Sequence, residues 1–191
     1  MSILVIGDCH AKIAAYFSIV KDYDRTIQVG DFGFAPAHNW HLNTLDPTKH
    51  KVNFGNHDDP AFLKSPHSCG DFSFFGDIMT IRGAYSIDKA WRIEGFSWWT
   101  EEEMNYEEMQ KCIDVYLEAK PRVIVSHDCP ETTRKIMFNI QNKTKTSTGL
   151  EHMFSMHQPK LWIFGHHHVS RDVVINKTRF ICLNELEPFL I

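Results

Sequence analysis

Apolar residues in this chain fall mostly in short unbroken runs that end on a glycine or a polar residue. Residues 3–6 read Ile, Leu, Val, Ile, and a run that short without alternation predicts a strand covered on both faces, as in a parallel sheet. Residues 26–29, 51–54, 123–125 and 161–164 repeat the pattern and predict four more such strands. Between the first two, residues 11–20 carry Ile13, Ala14, Phe17 and Val20 near helical spacing, so the chain starts β-loop-α. Residues 35–50, with two prolines and several Asn, Asp and Thr, predict a loop-rich region. The aromatic, glycine-punctuated stretch that follows predicts short antiparallel strands over 72–75, 78–81 and 84–87. Thr100 with Glu103, or Asn105 with Glu108, can cap a helix reaching residue 119 that buries Met109, Cys112, Ile113 and Tyr116, with Pro121 closing it. Residues 144–149 predict a polar, flexible stretch before a helix over 150–156, and residues 173–175 and 179–183 a hairpin around Asn176 and Lys177.

The chemistry-bearing residues follow directly on these runs. Asp8, Cys9 and His10 come after the first, and Gly30 and Asp31 after the second. Gly55, Asn56, His57 and Asp58 come after the third, His127 after residues 123–125, and Gly165, His166, His167 and His168 after residues 161–164. Side chains at the carboxyl ends of strands in an open α/β sheet meet in one crevice. Asp, Asn and His are the oxygen and nitrogen donors that suit hard-to-borderline divalent metals. Asp8 and His10, like His166 and His168, are two apart and would project to one side of extended chain. Taken singly, each piece has a plainer reading: a loop for Asp8 and His10, a turn for Gly30 and Asp31, a core histidine for His127, a surface histidine for His57. The ordered set carries the weight.

That set resembles the calcineurin-like metallophosphoesterase family, whose pattern is D-x-H, GD, GNH followed by D or E, a later H, and GHxH in that order. The resemblance runs from Asp8 to His168. It implies a four-layer α/β/β/α sandwich of two mixed β-sheets with a dinuclear site at the strand ends. Carried over residue by residue, one divalent metal would be held by Asp8, His10, Asp31 and His168, and the other by Asp31, Asn56, His127 and His166, with Asp31 bridging. Manganese, iron, nickel and zinc all suit such ligands, manganese being the choice for work in vitro. The activity implied is hydrolysis of phosphate mono- or diesters by attack of a hydroxide shared between the metals. His57 would act as general acid or steady the phosphoryl group, Asp58 would orient its ring, and His167 would point away.

The chain also departs from relatives. Protein serine/threonine phosphatases of the family carry an arginine after the GD motif and Glu after GNH; here the chain reads Gly30, Asp31, Phe32, Gly33, Phe34, Ala35, Pro36, and Asp58. A phosphoprotein substrate is thereby disfavoured, though it stays as the alternative within the enzyme class. The family's nucleases bear further domains, so the resemblance is to the small stand-alone phosphoesterases of bacteria and their phages. The reading from another class is a non-catalytic scaffold that binds proteins, against which stands the completeness of the ligand set.

Composition narrows the partners. At 191 residues, 43% hydrophobic and 13% aromatic, the chain fits one packed domain spanning residues 1–191. A net charge of −4 with 12 His offers no basic surface for long duplex nucleic acid, leaving small phosphoesters, nucleotides or short nucleic acid as substrates. The first residues show no basic region or cleavage site, and no apolar run approaches the roughly 20 residues a bilayer span needs. Five Cys without a C-x-x-C pair predict reduced thiols and a cytoplasmic location; Cys9 and Cys129, beside ligands, read as small buried thiols. Trp98 and Trp99 can stack a base or simply pack. Arg134 and Lys135 predict a solvated face, and Arg82 and Arg171 are phosphate contacts by position alone.

Overall fold

The structure is a computed structural model that describes residues 2–33 and 39–191, with the side chains of residues 39 and 40 left aside. The expected loop-rich stretch 35–50 therefore lies partly outside the described residues; its described part carries a short helix, α2 (Asn39–Leu42).

Three parallel strands, β1 (Leu4–Ile6), β2 (Thr26–Gln28) and β3 (His50–Val52), make the first sheet, with α1 (Ile13–Val20) between the first two. The edge strand β10 (Pro188–Leu190) closes it, running antiparallel to β1. The second sheet has the order β4-β5-β6-β7-β9-β8. Its centre is parallel: β5 (Ile78–Ile81), β6 (Val123–Ser126), β7 (Leu161–Phe164) and β9 (Thr178–Cys182). Its edges, β4 (Phe72–Phe75) and β8 (Arg171–Ile175), are antiparallel hairpin partners of β5 and β9. Helices α3 (Tyr106–Ala119), α4 (Glu131–Phe138) and α5 (Lys145–Met156) supply the remaining layer.

Strand parity explains the unbroken apolar runs. In β1 and its preceding residue, Ile3 and Val5 enter the core between the sheets, while Leu4 and Ile6 face the core shared with Tyr16 and Val20 of α1. In β7, Ile163 joins the inter-sheet core, while Trp162 and Phe164 pack in the core shared with Met109, Cys112, Ile113 and Tyr116 of α3. Both faces of such a strand are covered, so alternation disappears. The result is two mixed sheets face to face, each covered outside by helices. Among the described residues no helix is long and apolar enough to cross a membrane.

Several expectations are corrected. Of the two capping pairs, Asn105 and Glu108 form the reciprocal box that starts α3, while Thr100–Glu102 is a separate 3-10 turn. Residues 144–149 are the capped start of a helix: α5 begins at Lys145, capped by Thr144 and Ser147. Gly149, which looks like a breaker, is where α5 presses on α3, since a Cβ there would lie 2.3 Å from Met109 Sδ. Residues 84–87 form no strand; they turn back so that Ala84 N donates to Glu102 O. Helix α4 and strand β10 were not anticipated, and Arg134, expected in solvent, is buried, donating to Asn142 O and Ser147 Oγ.

Candidate metal centre

The strands β1, β2 and β3 run the same way, as do β6 and β7, so their carboxyl ends gather at one edge of the sandwich. Cross-links between the following loops tighten the gathering. Cys9 N and His10 N both donate to Asp31 O, and Gly165 N donates to His127 O. His166 N donates to both carboxylate oxygens of Asp8 at 3.0 and 3.2 Å. Two motif glycines make the approach possible. A Cβ on Gly55 would lie 2.2 Å from Asp31 Oδ1, and one on Gly165 would lie 2.1 Å from Asp8 Oδ1.

The donor atoms fall into two groups that share one residue. In the first, one ligand atom each from Asp8, His10, Asp31 and His168 lie within 4.8 Å of one another; in the second, the same holds for Asp31, His127 and His166. His10 Nε2 and His168 Nε2 are 2.8 Å apart, and His168 Nε2 is 3.1 Å from Asp8 Oδ2. His127 Nε2 lies 3.3 Å from Asp31 Oδ1 and 3.1 Å from Asn56 Oδ1, which brings the asparagine into the second group. Asp31 therefore stands in both.

These residues fit a divalent cation pair. Asp31 Oδ2 is buried with no hydrogen-bond partner, a state that costs roughly 1–3 kcal/mol or more unless something positive meets it. His127 Nδ1 faces Val29 O at 3.2 Å; donating there leaves its Nε2 lone pair turned to Asp31 and Asn56, the arrangement a metal-binding imidazole needs. Asn56 is oriented in the same sense, because its Nδ2 donates to Ser86 Oγ at 2.9 Å and its carbonyl oxygen is left facing His127. Ser86 is itself held by its N–H to Glu102 Oε2 at 3.1 Å. Backbone strain concentrates here as well: His10, Ala11, Asp31, His166 and His168 all have positive φ without being glycine.

Charge at the cluster is correspondingly divided. Burial alone would raise the Asp31 carboxyl, but the imidazoles around it, His127 foremost, hold it far below the usual carboxylate range. Asp8 is lowered too, burial being outweighed by hydrogen bonds with His10 and His168. Burial disfavours the charged form of His127, yet Asp31 beside it lifts the imidazole to about 9. His166 is pushed down to about 3, first by loss of water and then by the imidazoles of His127 and His167, which together outweigh the opposing pull of Asp128 and Asp31.

His57 sits at the rim, outside both donor groups. Its N–H donates to Asp31 Oδ1 at 2.9 Å, and its Nε2 is 3.8 Å from Asp31 Oδ2. Arg92 Nη2 reaches the same Nε2 at 3.1 Å, and because a guanidinium only donates, the imidazole nitrogen accepts. Asp58 takes another place than the expected one beside the His57 ring: its oxygens accept from Gly33 N and Gly55 N, both at 2.9 Å, tying together the loops that carry Asp31 and Asn56. Burial, and then Asp31, push its carboxyl up to about 7. His167 turns to Asp128, with Nε2 3.2 Å from Oδ1, and stacks on Phe138 at 4.0 Å between ring centroids. With Cys129 these two form a third, partly buried cluster. Arg134 Nε lies 3.8 Å from the same carboxylate, so the cluster already contains its cation.

Sequence reasoning missed Ser86, Glu102, Asp88 and Arg92, single polar residues that reach the site from residues 84–102 without any motif. Arg82, floated as a phosphate contact, is instead buried among Asp71, Glu101 O and Glu108. Arg171 begins the exposed edge strand β8. Trp98 lines a cavity of about 330 Å³ with Tyr85, Lys89 and Glu102. All five cysteines are free and buried.

Fold and donor set together define a metallophosphoesterase-type crevice. Residues 1–170 match the family model described as calcineurin-like phosphoesterase, and the chain belongs to that family. Among solved structures it is similar to the phosphopantetheinyl hydrolase of Mycobacterium tuberculosis, with 13% identity, a TM-score of 0.55, and coverage of 96% of this chain and 89% of that one. A conserved protein of Streptococcus pneumoniae described as a predicted phosphoesterase has 14% identity and a TM-score of 0.47, over 96% of this chain and 72% of the other. An archaeal phosphodiesterase has 13% identity and a TM-score of 0.45, over 97% of this chain and 84% of the other. At such identities the likeness speaks for the fold alone. No curated protein matches the sequence.

Proposed function

We propose that this chain hydrolyses small phosphate esters, mono- or diesters of nucleotide, nucleic-acid or other origin, using two divalent cations. The observation that carries this reading is the double membership of Asp31: one buried carboxylate, with one oxygen lacking any hydrogen-bond partner, belongs to two imidazole-rich donor groups. Asp8, His10, Asp31 and His168 would hold one cation, and Asp31, Asn56, His127 and His166 the other. When bound, such a pair neutralises the phosphoryl oxygens and supplies the nucleophile at neutral pH.

The chain's own groups do the rest. The neutral amide of Asn56 adds an oxygen donor without adding a negative charge against phosphate. His127, with Nδ1 on Val29 O, keeps its Nε2 directed inward. Asp58 acts on the backbone, pinning Gly33 and Gly55 so that the loops of Asp31 and Asn56 keep their spacing. His57, at the rim and outside the donor groups, accepts from Arg92 at Nε2 in this arrangement; it would serve as the acid for the leaving oxygen in the protonated form, with Arg92 turned from that nitrogen to the substrate.

The test is turnover of a chromogenic aryl phosphate and of its diester, with and without added manganese, followed by a panel of nucleotides, cyclic nucleotides and oligonucleotides. Metal-dependent release of the chromophore is expected. No turnover with any divalent metal would favour the protein-binding scaffold instead. Replacing His57 by Ala should leave metal content intact and lower kcat by about 10²–10⁴-fold, the span of general acid–base contributions. Loss of metal from that variant, read by elemental analysis, would make His57 a ligand and overturn its assignment.

A further inference from the structure

We propose that Arg92 is the phosphoryl-anchoring residue of this site, donating to non-bridging oxygens of the substrate beside His57. The inference rests on the phosphoesterase reading above and deepens it. Relatives that act on phosphoproteins hold the phosphoryl group with an arginine following the GD motif, and this chain has Phe32, Gly33 and Phe34 there. The structure brings a guanidinium to the crevice from an unrelated segment, between the second sheet's β5 and helix α3.

Four of the five N–H donors of Arg92 have partners, and their arrangement aims the group. Nε and Nη2 form a two-point pair with Asp88 Oδ1 and Oδ2 at 2.8 and 2.7 Å, and Nη1 donates to Ser97 O at 3.0 Å. The remaining hydrogen of Nη2 points at His57 Nε2, 3.1 Å away. That acceptor is a neutral ring nitrogen, itself 3.8 Å from Asp31 Oδ2, so the guanidinium stands one side chain from the donor cluster. An anionic phosphate oxygen is a better acceptor than a neutral imidazole, and a planar fork held from behind loses little freedom on binding it.

The plainer reading is a structural ion pair bracing its own segment. That reading does not explain why the guanidinium faces His57. Ile87, Trp91, Ile93 and Phe96 are 82%, 91%, 66% and 77% exposed, so these four give the pair no apolar packing to organise. Arg92 itself is only 17% exposed at the side chain, because it lies inward against His57. The segment is fastened by the arginine and its partners, by Lys89 over the Tyr85 ring at 4.4 Å, and by backbone bonds such as Gly95 N on Trp98 O, with Ile93 N on Ser97 Oγ closing the turn. In extended backbone at Arg92, its neighbours Trp91 and Ile93 project the opposite way. The turn delivers one inward cation.

The experiment compares the manganese-loaded protein with Arg92→Met and Arg92→Lys. Isothermal titration calorimetry measures the Kd for inorganic phosphate, elemental analysis the bound metal, and aryl phosphate turnover the KM and kcat. Arg92→Met should keep two cations per chain, weaken phosphate by about 10–100-fold as loss of a charge-assisted hydrogen bond does, and raise KM in parallel. Arg92→Lys should retain part of the affinity. Equal phosphate affinity in wild type and Arg92→Met, absence of phosphate binding in wild type, or loss of cations on substitution would each overturn the anchor. A wild type that turns over no ester, yet binds phosphate in an Arg92-dependent way, would refute the enzyme reading and leave the anchor standing.

Discussion

The crevice and the α3–α5 layer obey opposite rules. In the helical layer the start signals agree with the fold: both helices open with reciprocal caps, and their buried faces interlock around Met109 and Gly149. In the crevice, five non-glycine residues hold positive φ, a buried carboxylate oxygen lacks a partner, and two imidazole nitrogens sit 2.8 Å apart. A chain keeps such local conflict only where the surrounding structure enforces it or a bound group relieves it. The difference predicts that stability responds to cations at one end and to packing at the other.

The largest effect follows at the crevice. If cations relieve the conflict, removing them by chelation should lower the unfolding free energy by about 4 kcal/mol relative to protein held at a thousand times the metal Kd. Replacing Asp31 by Asn should erase that metal-dependent increment, lower bound metal at both positions together, and cut turnover by about 10²–10³-fold or more. Urea unfolding with and without manganese, alongside elemental analysis, measures it. Two fully occupied cations in the Asp31→Asn protein would break the shared role.

A smaller effect tests the other end. In Gly149→Ala the new methyl would lie 2.3 Å from Met109 Sδ and 2.7 Å from its Cγ. Methionine can move, so the overpacking cost sits near the usual 1–3 kcal/mol, reduced by about 1 kcal/mol because Ala favours helix over Gly. A net loss of about 0–2 kcal/mol is expected, with metal content unchanged. Combining it with Met109→Ala should cost less than the sum of the single losses, and strict additivity would show that α3 and α5 do not meet through this pair.

The two regions were also unequally legible. Crevice residues announce themselves because metal chemistry demands particular side chains at fixed offsets, and strands of one direction carry Asp8, Asp31, Asn56, His127 and His166 to one edge. Gly149 shows the opposite case. Composition marks residues 144–149 as polar and flexible, yet tertiary packing makes that glycine a contact point, and Thr144 caps through Ser147 rather than the Glu or Gln the usual signature asks for. Arg92, Ser86 and Glu102 had no signal at all, since each meets the site through a contact across the fold, such as Arg92 with His57, 35 residues away. Asp58 was legible as a site residue and misread in its partner, because the hydrogen bonds of a carboxylate to backbone amides leave no side-chain pattern to read.

The smallest prediction separates the regions most cleanly. Asn105 Oδ1 accepts from Glu108 N at 3.0 Å while Glu108 Oε2 accepts from Asn105 N at 2.9 Å, satisfying two donors that the first turn of α3 would otherwise leave bare. The same Glu108 oxygen takes Arg82 Nη2 at 3.2 Å, so the cap also reaches the end of β5. Asn105→Ala should cost about 1 kcal/mol, and Asn105→Asp much less because a carboxylate oxygen caps equally well and suits the helix N-terminus. Urea unfolding reads the loss, and metal titration should give the same affinity as wild type. A cap that changed cation affinity would show that strain in the crevice is transmitted through β5 and Arg82, and the two regions would then be one cooperative unit rather than two.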